Sequence, residues 1–318
     1  MTTAAAGSSD QYTFLEKTRL FLPCIRQKSV PKRNLFAGPY AGEFGWELMQ
    51  WQGFVRARRH YYEQVHVLTY PGRDYLYEGC QTHHHQIDLK TAGYRYGVLS
   101  QERARRMADQ KASEIGLENY DVFTPALLCT RYHKAIWKQE FRLFEEHPLT
   151  PVPCDVVFHF RAVQKQGPDV YKNYSPTLAD ELAMLCLDQG MAVACVGHPQ
   201  YSYCAAGCED FRSVELQRTV SAISSARAVV GENSGPMHLA NLCGKPTIVW
   251  AEHQWRIDFS LRWNPFRVPI YVAASNTSQP SPQLVFKAIV DALGDLRRKS
   301  NDFKEPLYTF PAQSIPGY

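Results

Sequence analysis

The sequence predicts an α/β protein of two domains, the second of them Rossmann-like with a parallel sheet. Three observations carry this. Short apolar runs of strand length alternate with segments of helical character, the mark of parallel βαβ units whose helices cover both faces of a sheet. The chain has 318 residues, enough for two domains of ordinary size, each with its own core. Pro148, Pro151 and Pro153 crowd one short stretch. Each proline restricts the residue before it and withholds an amide donor, so a domain boundary belongs there. The expected organisation is an N-terminal arm (1–33), a first domain (34–150), a second domain (151–298) and a tail (299–318).

The elements follow in chain order. The arm starts small and polar and turns basic and apolar, as in a packed or surface-lying segment. Leu35 to Gly38 is a short apolar run that enters the glycine-rich stretch G-P-Y-A-G-E-F-G. Trp46 to Tyr61 suits a helix, Gln64 to Tyr70 alternates as a strand up to the Pro71-Gly72 turn, and Ser100 to Ile115 is helix-prone. Past the boundary, Val156 to Phe160, Met191 to Val196, Ala228 to Val230 and Thr247 to Trp250 read as strands. Thr177 to Gln189, Val214 to Ser225 and Pro236 to Cys243 read as the helices between them. Gln283 to Arg298 is a last amphipathic helix, with Leu284, Ile289 and Leu293 available for burial. A loose polar loop spans Ala274 to Pro282.

Composition narrows the function classes. Hydrophobic residues make up 45% and charged residues 21% of the chain, and no apolar run approaches the roughly 20 residues that span a bilayer. The N-terminus shows no basic region followed by an apolar stretch, so a cytoplasmic address is expected, with peripheral attachment to a membrane left open. Nine cysteines among apolar positions suit buried thiols in a reducing compartment. Cys204 and Cys208 lack a second ligand pair at zinc-finger spacing, and His83, His84 and His85 read as a polar loop, so no metal site is expected. A net charge of +4 is far from that of a dedicated nucleic-acid binder. Two clusters, Arg56, Arg58, Arg59 and His60, and Arg103, Arg105 and Arg106, read as solvated helical faces or as contacts to an anionic acceptor.

The chemistry concentrates in Gly231 to Ala240, G-E-N-S-G-P-M-H-L-A, at a strand-to-helix turn. Ligands of open α/β sheets sit outside such strand ends. Gly231 and Gly235 allow close backbone approach, Ser234 can cap the helix, and Pro236 suits its first turn, which leaves amides aimed at an anion such as a diphosphate. His238 can donate to a phosphate oxygen or stabilise a departing nucleotide, while Glu232 reaches a ribose hydroxyl or positions the loop. His159 and Arg161, at the end of an earlier strand, are expected to point into the same crevice. Arg161 can fork onto phosphate or form a surface salt bridge. An ordinary capped helix is the plain alternative for the turn.

This segment resembles the D-S-G-P-x-H-L-A signature of glycosyltransferase family 9, the ADP-heptose:lipopolysaccharide heptosyltransferases and their relatives, with Glu232-Asn233 in place of the Asp. S-S-A-R-A-V-V-G before it and L-C-G-K-P-T-I-V after it are also similar to that family. Lys172, Tyr174 and Pro176 resemble the family's lysine and aromatic residue before a helix, and the resemblance implies that Lys172 neutralises donor phosphates. The family's acidic ribose-binding residue falls here at Gly197-His198-Pro199-Gln200, where no carboxylate stands, so the resemblance does not fix the nucleotide as ADP. In the first domain G-E-F-G-W-E-L-M resembles the family's G-x-x-G-D turn, which supplies the catalytic Asp. Gly42 and Gly45 align, Trp46 takes the Asp position, and Glu47 or Glu43 remains as general base, with Glu47 slightly favoured. Either can instead be a helix-capping Glu. Trp46 and Trp51 suit stacking on a sugar face or core packing.

The resemblance implies the GT-B fold, two Rossmann-like domains with parallel sheets facing one another, donor held mainly by the second and acceptor by the first. The expected activity is inverting, metal-independent transfer of a sugar from a nucleotide-diphosphate sugar, the co-substrate, to a hydroxyl of a glycan or similar acceptor. No cofactor is expected beside it. The acceptor, whether glycan, lipid-linked or nucleic acid, is not fixed by sequence. Three alternatives stand beside this: transfer to modified DNA bases, with the arginine clusters on phosphates; a sugar-nucleotide 2-epimerase, whose motif continues differently from Pro236-Met237-His238; and a non-catalytic sugar-nucleotide-binding protein.

Overall fold

The computed structural model describes residues 34–87, 99–125, 139–144, 153–162 and 172–299. The arm, Pro148, Pro151 and residues 300–318 lie outside the described residues. Two compact units part between Glu140 and Phe141.

In the first unit, β1 (Asn34–Ala37), β2 (Val65–Thr69), β3 (Gln81–His84) and β4 (Tyr120–Phe123) form a sheet in the order β3-β2-β1-β4. Each neighbouring pair is parallel. Every residue of β2 is buried, as in a strand covered on both faces. The triple-histidine segment, expected as a loop, is largely the edge strand β3. A polar strand is stable there because one side of an edge is open to water. His83 lies 3.0 Å from His66 of β2, Nε2 to Nδ1.

The helix expected after β1 is present but broken into α1 (Phe44–Trp46), a π-helical turn (Glu47–Trp51), α2 (Gln52–Arg58) and a final 3-10 turn (Arg59–Tyr61). All of α2 is buried, so Arg56 and Arg58 do not lie on a solvated face. The helix packs against the turn Asp74–Tyr77. There Arg56 Nη2 donates to the Leu76 carbonyl at 2.7 Å, which makes burial of the guanidinium tolerable. The second arginine cluster does face outward: α3 (Gln101–Glu114) buries Ala104, Ala108 and Ala112 and exposes Arg103 and Arg106. Ser100 caps it, its Oγ accepting from the Arg103 amide at 3.3 Å.

The strands of the second unit are β5 (Val156–Arg161), β6 (Val193–Cys195), β7 (Ser202–Tyr203), β8 (Glu209–Asp210), β9 (Ala228–Glu232), β10 (Thr247–Trp250) and β11 (Ile270–Ala274). They form a sheet in the order β11-β10-β9-β5-β6-β8, parallel throughout, with β7 antiparallel on β5. The helices are α4 (Pro176–Leu187), α5 (Leu216–Ser225), α6 (Gly235–Leu242), α7 (Gln254–Arg262) and α8 (Pro282–Lys299). Helix α8 packs on α4 and fills the core through Val285, Ile289, Ala292 and Leu293. Those four recur at one helical face. Leu284, one residue off that face, is 45% exposed rather than buried. Helix α7 and strand β11 lie where no element is expected from sequence.

Strand order reverses between β1 and β4 in one sheet and between β5 and β9 in the other. Such a reversal splays the two connections apart and leaves a crevice at the carboxyl edge. The segment Gly42–Gly45, which runs into α1, follows β1, and the turn Asn233–Ser234, which runs into α6, follows β9, so both sequence motifs stand at these reversals. Gly231 itself belongs to β9 and not to the turn. A Cβ there would come within 2.8 Å of the His159 carbonyl oxygen on β5 and 3.0 Å of Met237 Sδ. Its missing side chain lets β9 pack on its neighbours; it is not a position of close ligand approach. Gly231→Ala is expected to cost about 1–3 kcal/mol of stability, since the opposing atom is backbone and cannot move aside. Urea unfolding measures this, and an unchanged midpoint would contradict the packing.

Candidate active site

Strand β9 is buried along its length and brings Glu232 to the carboxyl edge of the sheet, where Glu232 is 2% exposed. Asn233 is fastened locally: its amide N–H donates to the Trp250 carbonyl at 3.2 Å, and its Nδ2 donates to the Arg256 carbonyl. Ser234 occupies the N-cap of α6 with extended backbone, and Pro236 sits in the first turn, where its missing N–H has no intrahelical partner to lose. The expected side-chain cap is not formed. Ser234 Oγ is instead buried without a hydrogen-bond partner among the described residues. A buried hydroxyl in that state is open to a ligand oxygen at the positive end of the helix.

His238, one turn into α6, is buried and meets the Trp263 ring edge-on, with centroids 4.9 Å apart. Its Nδ1 is enclosed without a partner. Burial, and then the charge of nearby Lys172, push its pKa down to about 3, so the ring is neutral at neutral pH. Lys172 itself is half-buried in the loop before α4. Tyr174, expected beside it in the site, belongs to the core. Its hydroxyl donates to the Pro280 carbonyl at 2.9 Å and its ring lies on Phe160 and Trp250.

His159, expected beside Arg161 in the crevice, is held by the protein itself. It is buried, and Nδ1 lies 3.1 Å from the Val196 carbonyl. Burial lowers its pKa to about 4 against the opposing effect of that carbonyl. Arg161 ends β5, half-buried. At the end of β6, Gly197 has φ +129°, and a Cβ would lie 2.7 Å from Ser202 Oγ and 2.8 Å from His159 Nδ1, so only glycine fits. His198 is half-buried, its carbonyl accepts from Ser202 Oγ at 2.7 Å, and its ring tilts against Tyr201.

In the first unit, Gly42 is buried and Glu43, Gly45 and Trp46 are half-buried. The Glu43 carbonyl accepts from Tyr40 OH at 2.9 Å and from the amides of Trp46 and Glu47 at 3.1 Å each. Its carboxylate has no hydrogen bond or ion pair among the described residues. Glu47 is the opposite case. It is 0% exposed, accepts from Thr69 Oγ1 at 3.0 Å and Tyr77 OH at 2.7 Å, and pairs with Arg73. Arg73, which no sequence pattern singled out, is also stacked between the Phe44 and Tyr70 rings. Trp51 is core, packed on Tyr40 and Phe123. Among the described residues, no three metal-ligating side chains cluster, and no helix is long and apolar enough to cross a membrane.

The fold is GT-B: two Rossmann-like domains with parallel sheets. Among solved structures, the chain is similar to the ADP-heptose lipopolysaccharide heptosyltransferase II of E. coli, with a TM-score of 0.53 at 14% identity over 83% of this chain and 99% of that one. It is also similar to the E. coli heptosyltransferase WaaC with ADP, at 0.49 and 14% over 82% and 99%. A glycosyl transferase family 9 protein from Veillonella parvula gives 0.48 and 12% over 83% and 98%. No protein-family model matches the chain, and no curated protein matches it either.

Two expectations follow from the electrostatics. Histidine in an unfolded chain titrates near 6.5, whereas His159 and His238 titrate at about 4 and about 3 when folded. The unfolded state therefore takes up protons first, so stability is full above about pH 6.5 and falls as pH drops, down to about 4 for His159 and about 3 for His238, by up to about 1.4 kcal/mol per pH unit for each ring. Thermal unfolding of the second unit at pH 7, 6 and 5 should shift steadily downward; a flat profile would mean the rings are not buried neutral. Glu47→Gln leaves Arg73, whose side chain is 16% exposed, without its anion and should cost about 2–3 kcal/mol. Glu43→Gln should stay within about 0.5 kcal/mol. Chemical denaturation of both variants tests the contrast, and equal losses would refute it.

Proposed function

We propose that the chain is an inverting glycosyltransferase, a divergent relative of family 9, that moves a sugar from a nucleotide-diphosphate sugar to a hydroxyl acceptor without a metal or a further cofactor. The observation that carries this is the head of α6 at the β5/β9 reversal, which holds a buried Ser234 hydroxyl with no hydrogen-bond partner among the described residues and a neutral buried His238 that feels the charge of Lys172. These groups suit the oxygens of a diphosphate. The first helical amides and Lys172 supply positive potential, and Ser234 and His238 supply hydrogen-bond donors, so the charge that grows on the leaving diphosphate meets groups already in place. The E. coli heptosyltransferase II whose fold is shared is named for ADP-heptose, which supports a nucleotide sugar as donor.

In the proposed reaction the acceptor oxygen attacks the anomeric carbon, the bond from that carbon to the diphosphate oxygen breaks with its electron pair, and the hydroxyl proton passes to a carboxylate. Attack opposite the leaving group inverts the centre. Glu43 is the better base, although sequence slightly favours Glu47. A base needs a free lone pair within reach of the hydroxyl, and Glu47 spends its oxygens on Thr69, Tyr77 and Arg73. Transfer to DNA loses support because Arg56 and Arg58 are buried. The epimerase and non-catalytic readings gain nothing from the geometry.

Nucleoside diphosphates should raise the melting temperature, since a ligand at 100 times its Kd adds about 2.7 kcal/mol. Lys172→Ala should weaken that binding about tenfold. Glu43→Gln should slow transfer by about 100-fold or more with diphosphate binding unchanged. A screen in which no nucleoside diphosphate stabilises the protein, or parental transfer by Glu43→Gln, defeats the proposal.

A further inference from the structure

The neutral state of His238 raises the question of what aims it. Functional histidines are ordinarily oriented by a hydrogen bond at the ring nitrogen that does not face the ligand. Here Nδ1 is buried with no partner among the described residues. Among the described aromatic rings His238 meets Trp263, edge-on at 4.9 Å and 67°.

Trp263 is itself held from two sides. Its amide N–H donates to the Phe259 carbonyl at 2.8 Å, closing the last turn of α7. Its carbonyl accepts from Asn241 Nδ2 at 3.3 Å. Asn241 stands three residues after His238 on α6, and residues so spaced share a helix face. One face of α6 therefore grips Trp263 twice, by ring and by carbonyl. The other end of α7 is tied to the same turn, because Asn233 Nδ2 donates to the Arg256 carbonyl. Phe259 and Trp255 continue the edge-to-face series along α7, at 5.3 and 5.8 Å.

We infer that Trp263 is a positioning residue for His238: strapped to α6, it fixes the imidazole by packing so that Nε2–H is presented to a phosphate oxygen of a nucleoside diphosphate. The tautomer follows from the same burial. A proton on Nδ1 would be an enclosed donor without an acceptor, which costs more than an enclosed lone pair, so the proton resides on Nε2. This rests on the proposed diphosphate site.

The test uses the full chain and the diphosphates of adenosine, guanosine, uridine, cytidine and thymidine. Nitrogen-15 spectra of the His238 ring in the free protein should show the Nε2–H tautomer. Trp263→Leu should shift these resonances toward the averaged values of a mobile ring, and Trp263→Phe should restore them. For the diphosphate that binds most tightly, Trp263→Leu should raise Kd about 5- to 10-fold and Trp263→Phe by less than twofold, each variant having a parental melting profile without ligand. Ring resonances in Trp263→Leu identical to the parent's overturn the inference, as does parental affinity in that variant. A parent that binds none of the five defeats the diphosphate reading, while the free-protein spectra still decide what orients the ring. If Trp263→Leu fails to fold, Asn241→Ala, which removes the carbonyl grip alone, should loosen the ring in the same spectra, and an unaltered ring there counts against the inference.

Discussion

The second unit depends on β9 remaining paired in parallel register, between β5 and β10, as far as Glu232. His159 lies opposite Gly231, and Glu232 lies opposite Trp250. That pairing decides where the chain leaves the sheet, and so where Ser234 and the first amides of α6 stand. It is possible because position 231 has no side chain: the strands and Met237 close over the space a Cβ would fill. Ser234, Pro236 and His238 are consequences of that strand end. A one-residue slip would turn each β9 side chain to the opposite face of the sheet.

Buried polar groups divide into two kinds. Glu47, Arg56, His159 and Tyr174 have protein partners, so their burial stabilises a particular arrangement. Ser234 Oγ and His238 Nδ1 have none among the described residues, and an unmet buried group costs on the order of 1–3 kcal/mol. Native chains retain such costs mainly where something else is bound or done. The contrast separates Glu47, whose oxygens are engaged within the protein, from Ser234 and His238, which keep unmet buried atoms among the described residues. The Glu47–Arg73 pair still serves the first unit, since Arg73 stacks on Phe44, the residue next to Glu43.

Helix α7 shows how much of a site can escape a sequence pattern. Gln254 to Arg262 carries Trp255 and Phe259 four residues apart, followed after four more by Trp263. That spacing is a helical signal which the polar residues between them mask. Its importance comes from two bonds to backbone carbonyls, Asn233 to Arg256 and Asn241 to Trp263. Main-chain acceptors leave no trace in residue type, so no reading of side chains finds them. Arg73 escaped for a related reason: its partner Glu47 is 26 residues away in the chain.

Sequence by itself determined the alternation of strands and helices, the parallel sheet of the second unit and the strand-to-helix turn between β9 and α6. These rest on local periodicity, and on glycine, serine and proline at positions with local backbone meaning. Only the tertiary structure decided which carboxylate is enclosed, which histidine is pinned in a strand, which arginines are buried and which aromatic residue meets His238. Each of those depends on what another segment places opposite the residue. Glutamates 43 and 47 are alike in type and four residues apart, and what distinguishes them is contributed by Thr69, Arg73 and Tyr77, brought alongside by the pairing of β1 with β2.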